Sequence, residues 1–187
     1  DNFQHCLINA AHQFTNRSEG EAYIIAGYPW FKCRARDMFI SLPGLTLAID
    51  EKAKYEEMMT TASKAIRNFM NDEPDNLKVY EMEHPDVLLW AVWCIQQYAK
   101  MVSKEECIEK YGALLAEIME YLCNENHPNL FLHGNGLLYT NGHERAVTWM
   151  NSTANGRPVV ARSGYVVEIN ALWYNALYFA AELLGKN

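Results

Sequence analysis

Apolar residues recur at helical spacing along nearly the whole chain, in two alternating styles. A stretch over about residues 2–14 shows one stripe, Phe3, Leu7, Ala10, Ala11 and Phe14, which predicts an amphipathic helix with one buried face. The next, over about 37–49, is apolar on every side, with Met38, Phe39, Ile40, Leu42, Leu45, Leu47 and Ile49. A helix of that kind is a buried one, and Pro43-Gly44 should kink or interrupt it. A third, over about 51–71, returns to one stripe (Tyr55, Met58, Met59, Ala62, Ile66, Phe69) opposite Lys and Glu. The fourth opens at His84-Pro85, where proline suits the first turn. It runs apolar all round through Val87, Leu88, Leu89, Trp90, Val92, Trp93 and Ile95. The fifth starts on a capping box, Ser103 with Glu106 three residues on, and carries Ile108, Tyr111, Leu115, Ile118 and Leu122 on one face. The sixth, over about 167–184, is again apolar, and Gly185 stops it.

Amphipathic, buried, amphipathic, buried is how two concentric helical layers read in sequence, and the fold expected is all-α. Joins from inner to outer helices are short, whereas those from outer to inner are long, at 15–36, 72–83 and 124–166. Loops of that length in a compact domain are usually functional. In a two-layered array all three emerge at one end, above the N-termini of the inner helices. Those N-termini carry Asp37, Asp86 and Glu168. Each alone reads as a residue that suits the helix dipole. Three on one loop-rich end predict a common pocket, shared by the aromatics Tyr28, Trp30, Phe31, Trp149 and Trp173. Carboxylates that hydrogen-bond hydroxyls, beside flat rings that stack on sugars, would make a polyol pocket.

Half of the residues are hydrophobic and 21% are charged, which allows one sizeable core and makes residues 1–187 a single domain. The net charge of -7 argues against a nucleic-acid partner, which needs clustered cations. No apolar run reaches the roughly 18–20 residues of a membrane span, and no basic segment with an apolar one behind it opens the chain as a signal peptide would. A cytoplasmic protein without a membrane partner is expected. Cys6, Cys33, Cys94, Cys107 and Cys123 form no C-x-x-C pair and read as reduced thiols, with Cys94 and Cys107 as apolar filler within helices. His127, His133 and His143 share a long loop with Glu144, but their spacings match no metal motif. Solvated loop histidines are expected, with no metal and no cofactor. Asn135-Gly136 and Asn141-Gly142 read as turn signals around a short extended segment, 137–140.

Two segments carry a sharper signal. Ala26-Gly27-Tyr28-Pro29-Trp30-Phe31, followed by Arg36-Asp37-Met38-Phe39-Ile40-Ser41-Leu42-Pro43-Gly44, resembles the signature of the glycogen-debranching amylo-α-1,6-glucosidase family. So does Thr148-Trp149-Met150, followed by Arg162 to Gly164 and the run from Val167 to Leu177. The likeness spans most of the chain and is weakest from Glu73 to Tyr80. It implies a glucoamylase-like (α/α)6 toroid of twelve helices, of which six alternating helices are three hairpins, or half a ring. The family's further helices would lie beyond Asn187, so residues 1–187 would be a partial domain; the opening Asp1 in place of Met agrees with that reading. Half a ring would expose side surface that a whole ring buries, and self-association is one way to cover it.

The resemblance also implies a chemistry, hydrolysis of α-1,6-glucosidic branch points in glycogen or related α-glucan. An inverting enzyme needs one carboxyl to protonate the leaving oxygen and another to activate water across the ring. By the resemblance, Arg36 and Asp37 grip hydroxyls of the terminal glucose, beside the substrate-site candidates Tyr28, Trp30, Asp86, Trp149, Arg162 and Trp173. The family's general acid falls at Asn151, where relatives carry Asp. An amide cannot supply a proton at neutral pH, although it can hydrogen-bond a glycosidic oxygen. Glu168 is either the substitute acid or the partner that orients Arg162. The base is expected in the later part of the family's domain, so no complete acid–base pair is expected in these residues. A second departure is Cys33-Arg34-Ala35, where relatives carry Trp-Gly before Arg-Asp, and it alters one pocket wall. The alternative is a non-catalytic α-glucan-binding module with a degenerate acid position, and a plain helical scaffold stands third.

Overall fold

The computed structural model describes residues 2–74 and 77–185; residues 75 and 76 of the second long join, together with 1, 186 and 187, lie outside the described residues. Six α-helices carry the fold: α1 (Phe3–Gln13), α2 (Ala35–Leu45), α3 (Lys52–Met70), α4 (Val87–Met101), α5 (Lys104–Cys123) and α6 (Val167–Leu184). Their number and order match the hydrophobic pattern. α4 packs against α2 on one side and α6 on the other, and α5 packs against both α4 and α6. The three helices read as all-round apolar are therefore neighbours, but α6 departs from the reading as a buried helix, because Val167, Tyr174, Leu177 and Tyr178 are exposed and only its other face is covered. Every residue of α4 from Val87 to Val92 except Trp90 is fully enclosed, and each such Leu or Val contributes roughly 1.5–3 kcal/mol of burial. Between the layers, Tyr55, Tyr98 and Tyr111 form an aromatic cluster, with the Tyr55 hydroxyl donating to the Cys94 carbonyl at 2.9 Å. Cys94 and Cys107 are buried filler, and burial pushes their thiols up to about 12 and about 11.

Helix ends follow local chemistry. The Asn2 side chain accepts the His5 amide and opens α1; the Ser103 hydroxyl accepts the Glu106 amide and opens α5. The capping box is only half made, because the Glu106 carboxylate accepts from Tyr98 and Lys52 instead. α2 passes through Pro43 for half a turn more and breaks at Thr46, so the expected interruption comes late. The Thr46 hydroxyl donates to the Leu42 carbonyl at 2.5 Å, which covers one of the carbonyls left free at a helix end. A 3-10 turn, Leu47–Ile49, then leads to α3. α1 departs from its predicted role: of its apolar stripe only Ala11 is buried, while Phe3 and Leu7 face solvent.

The long joins are not structureless. Residues 15–36 open with a hairpin of β1 (Thr15–Ser18) and β2 (Glu21–Ile24) that the pattern of apolar residues did not reveal. Its turn is Glu19-Gly20, both at positive φ, as a two-residue hairpin needs. β2 docks on α3, with the Ala22 amide donating to the Thr61 hydroxyl and Lys64 donating to Glu21. β3 (Cys33–Arg34) pairs in parallel with β4 (Val79–Tyr80), tying the first join to the second. The third join holds two ribbons, β5 (Phe131–Leu132) with β6 (Leu138–Tyr139) and β7 (Thr153–Ala154) with β8 (Arg157–Pro158). The extended segment expected at 137–140 is β6. Among the described residues no helix is long and apolar enough to cross a membrane.

Candidate functional site

All three long joins meet at one cleft of about 1010 Å³. Arg34 reaches it from the first, Glu81, Glu83 and His84 from the second, and Glu144, Arg145 and Asn151 from the third. The convergence expected from helix order is therefore present. Arg34, at the end of β3, holds its guanidinium 4.7 Å from the Phe31 ring centre and 3.6 Å from Glu81 Oε1. Glu81 sits at φ 65°, and its Oε2 is buried without a hydrogen-bond partner. Left-handed backbone at a residue other than glycine is costly and concentrates at functional sites. Two guanidinium groups face three carboxylates across this cleft, so neither sign dominates it.

Behind the cleft lies a buried ion pair. Arg36, in the first turn of α2, donates from Nε to Asp86 Oδ2 (2.7 Å) and from Nη2 to Asp86 Oδ1 (2.8 Å). The Trp90 indole N–H adds a third bond to Asp86 at 3.2 Å. Two inner helices are thus locked start to start by a bidentate pair of the strong kind. Arg36 Nη2 also donates to His84 Nδ1 at 2.9 Å, and His84 in turn walls the cleft. Burial, then the Arg36 charge, pull the His84 imidazole below its ordinary range, against the opposing carboxylates Glu81, Glu83 and Asp86.

A second arginine is held in the same fashion at the start of α6. Arg162 donates to the Thr148 hydroxyl at 2.8 Å and from Nη2 to Glu168 Oε2 at 2.8 Å, while Nη1 bonds the other carboxylate oxygen. Burial alone would raise the Glu168 carboxyl, but hydrogen bonds from Arg162, its own backbone N–H and Trp149 bring it below the usual glutamate value. Gly142 makes this arrangement possible. A Cβ there would collide with the Arg162 backbone, and the Gly142 amide donates to the Ser163 hydroxyl at 2.8 Å. The second glycine signal therefore marks a close approach of two backbones.

The sequence candidates fall in several places. Asn151 is in the large cleft, and Arg36 and Asp86 stand directly behind it. Asp37 is exposed and opens on a separate, smaller cleft of about 290 Å³ with Phe14, Ile40 and Leu45. Tyr28 and Phe31 line a third, of about 440 Å³, with Tyr80 and Lys32. Trp30 projects into solvent at 82% exposure, and Trp149 is also exposed. Trp173 is only 3% exposed, its indole N–H donating to the Gly136 carbonyl at 3.2 Å, so no ring face is left for stacking. The five rings expected in one pocket do not share one: Tyr28 and Phe31 line the third cleft together, Trp173 is buried in α6, and Trp30 and Trp149 are exposed. His127 also departs from expectation. It is buried against Phe69 and not solvated, and burial pulls its imidazole down to about 4. Sequence reasoning missed His84 and Glu144 as cleft residues, while Arg34 lies in the segment read as altering a pocket wall; the His84-Pro85-Asp86 order, directly before an all-apolar helix, was the available signal for His84.

No curated protein and no solved structure matches the chain. One family model does, that of amylo-alpha-1,6-glucosidase, over residues 9–187. The match takes in all three long joins and both arginine clamps, and on that ground the chain belongs to the amylo-alpha-1,6-glucosidase family.

Proposed function

We propose that this chain carries the glucan-holding part of a debranching glycosidase, its six helices forming three hairpins of an (α/α)6 ring. The observation that carries the reading is the cleft where the three long joins meet, inside a chain of this family. Asn151, at the place the family resemblance gives to the acid, is on its wall. The cleft's near-balanced charge and its amide and imidazole groups suit a neutral polyhydroxyl ligand better than an anion. Arg36 holds the cleft wall from behind through His84, and Arg162, oriented by Glu168, supports the segment that leads from Trp149 into α6. Asp37, Tyr28, Trp30 and Trp149 remain solvent-facing groups for further sugar contacts. Inverting hydrolysis at this site needs a proton donor and a base about 6.5–9.5 Å apart.

The second reading is a non-catalytic α-glucan-binding module, and two observations favour it. Asn151 cannot donate a catalytic proton, and Glu168 is held as an anion by Arg162. Both departures from the family resemblance, Arg34 and Asn151, also wall one and the same cleft. Calorimetry with isomaltose and maltotriose, run beside an assay of glucose release from isomaltose, tests both readings. Binding with release supports the glycosidase, binding without release supports the module, and absence of both sinks the glucan assignment.

A further inference from the structure

His84 has a chemical role that follows from its two nitrogens. A guanidinium has no lone pair to offer and can only donate. The 2.9 Å contact from Arg36 Nη2 therefore requires His84 Nδ1 to be the unprotonated acceptor, which places the ring hydrogen on Nε2. Arg36 cannot swing away to release this constraint, since Asp86 grips it through two further bonds in the interior. Nε2 lies on the opposite edge of the ring, where no described residue accepts from it. It is not among the buried polar atoms that lack a partner, and His84 itself lines the large cleft, as does Asn151. The hydrogen on Nε2 is thus directed by the interior and offered to the cleft.

We infer that His84 is a ligand-positioning residue, whose Nε2–H donates one hydrogen bond to a hydroxyl or ring oxygen of a neutral saccharide held in the cleft that Asn151 also lines. The inference rests on the glucan reading above and deepens it by naming a contact. The charged groups around the ring are Arg36, Glu81, Glu83 and Asp86. Arg36 bonds the ring directly, and a second ring proton would have to sit on Nδ1, facing its N–H. A neutral donor of this kind selects an oxygen acceptor without demanding that the ligand be charged.

Two substitutions separate this role from a purely architectural one. An asparagine oxygen takes the place of Nδ1, and a glutamine amide nitrogen takes the place of Nε2. His84→Asn keeps the acceptor for Arg36 and removes the donor to the cleft; His84→Gln keeps the donor. Titration of the full chain with isomaltose and with maltotriose at neutral pH is expected to show His84→Asn binding roughly 3- to 10-fold more weakly, the effect of one neutral hydrogen bond. His84→Gln should stay within about twofold of wild type. Thermal melts establish that both variants are folded, and a nitrogen-detected NMR spectrum of the unliganded wild type reads the tautomer. Rescue by Asn but not Gln, equal affinity in all three proteins, or an Nδ1–H tautomer would each overturn the inference while leaving the glucan reading standing. A wild type that shows the Nε2–H tautomer yet binds neither sugar refutes the glucan reading itself and takes the saccharide contact with it.

Discussion

Removing Asp86 should unfold more of this protein than any other single substitution around the cleft. Asp86 and Arg36 are 2% and 5% exposed, and the carboxylate accepts from Arg36 Nε and Nη2 and from the Trp90 indole. Asp86→Ala leaves a guanidinium in the interior with only His84 Nδ1 as a partner, and an uncompensated buried charge costs about 3–5 kcal/mol. For a domain of this size each kcal/mol moves the melting temperature by roughly 2–4 °C, so the transition should fall by about 6–20 °C. The same argument makes a second, less intuitive demand. Taking both charges away in Arg36→Met/Asp86→Leu removes the desolvation cost along with the attraction, and such replacements are often neutral or stabilising. The double variant should therefore melt near wild type while losing saccharide binding. Circular dichroism melts of the two proteins check this. A shift below about 2 °C for Asp86→Ala would mean that Arg36 escapes to water and is not locked, and the cleft geometry argued from it would fall.

Three further outcomes follow from the structure. His127 is 1% exposed, is pulled down to about 4 and ionises near 6.5 when unfolded, so below 6.5 the unfolded chain binds more protons. Stability is full above that value and should fall by about 3 kcal/mol between pH 6.5 and 4 relative to His127→Asn, read by urea unfolding; parallel curves would refute it. Gly142→Ala should push the Arg162 backbone aside and cost about 1–3 kcal/mol, with a change in Trp149 fluorescence; an unshifted melt would show that the loop simply yields. The α6 stripe of Val167, Ala171, Tyr174 and Tyr178 is exposed and uncharged. It predicts concentration-dependent self-association that Tyr174→Glu/Tyr178→Glu abolishes in analytical ultracentrifugation, and a wild type monomeric at every concentration refutes it.

Helix count and order were legible in the sequence because burial writes them directly: α4 is apolar on all sides since α2, α5 and α6 enclose it. Of the ribbons only the strand within 137–140 was legible, from the turn signals around it; two-residue strands such as β3 and β4 have no period to read. Their pairing depends on where α2 and α4 bring the chain. The convergence of the three joins was inferred correctly from helix alternation, whereas the aromatic pocket was not. A ring's identity does not say which way its backbone turns it, so Trp173, on the buried face of α6, went into the core, and Trp30, in the first join, went out to solvent.

The three acids at the inner-helix starts show where such reading stops. As a pattern they are equivalent, one Asp or Glu in or beside each first turn. In the folded chain two of them are already spent. Asp86 clamps Arg36 and Glu168 clamps Arg162, each through both carboxylate oxygens. Only Asp37 is left exposed, opening on a cleft separate from the one His84 lines. The clamps have a shared logic, since each fixes an arginine that sequence alone would assign to substrate. Fixing it at the start of an inner helix turns a mobile cation into part of a rigid wall, so neither arginine is left free to follow a ligand. Arg36 joins that wall through the His84 ring. That is why the ligand contact proposed here falls to a residue that no motif named, its tautomer set by an arginine that is itself 5% exposed.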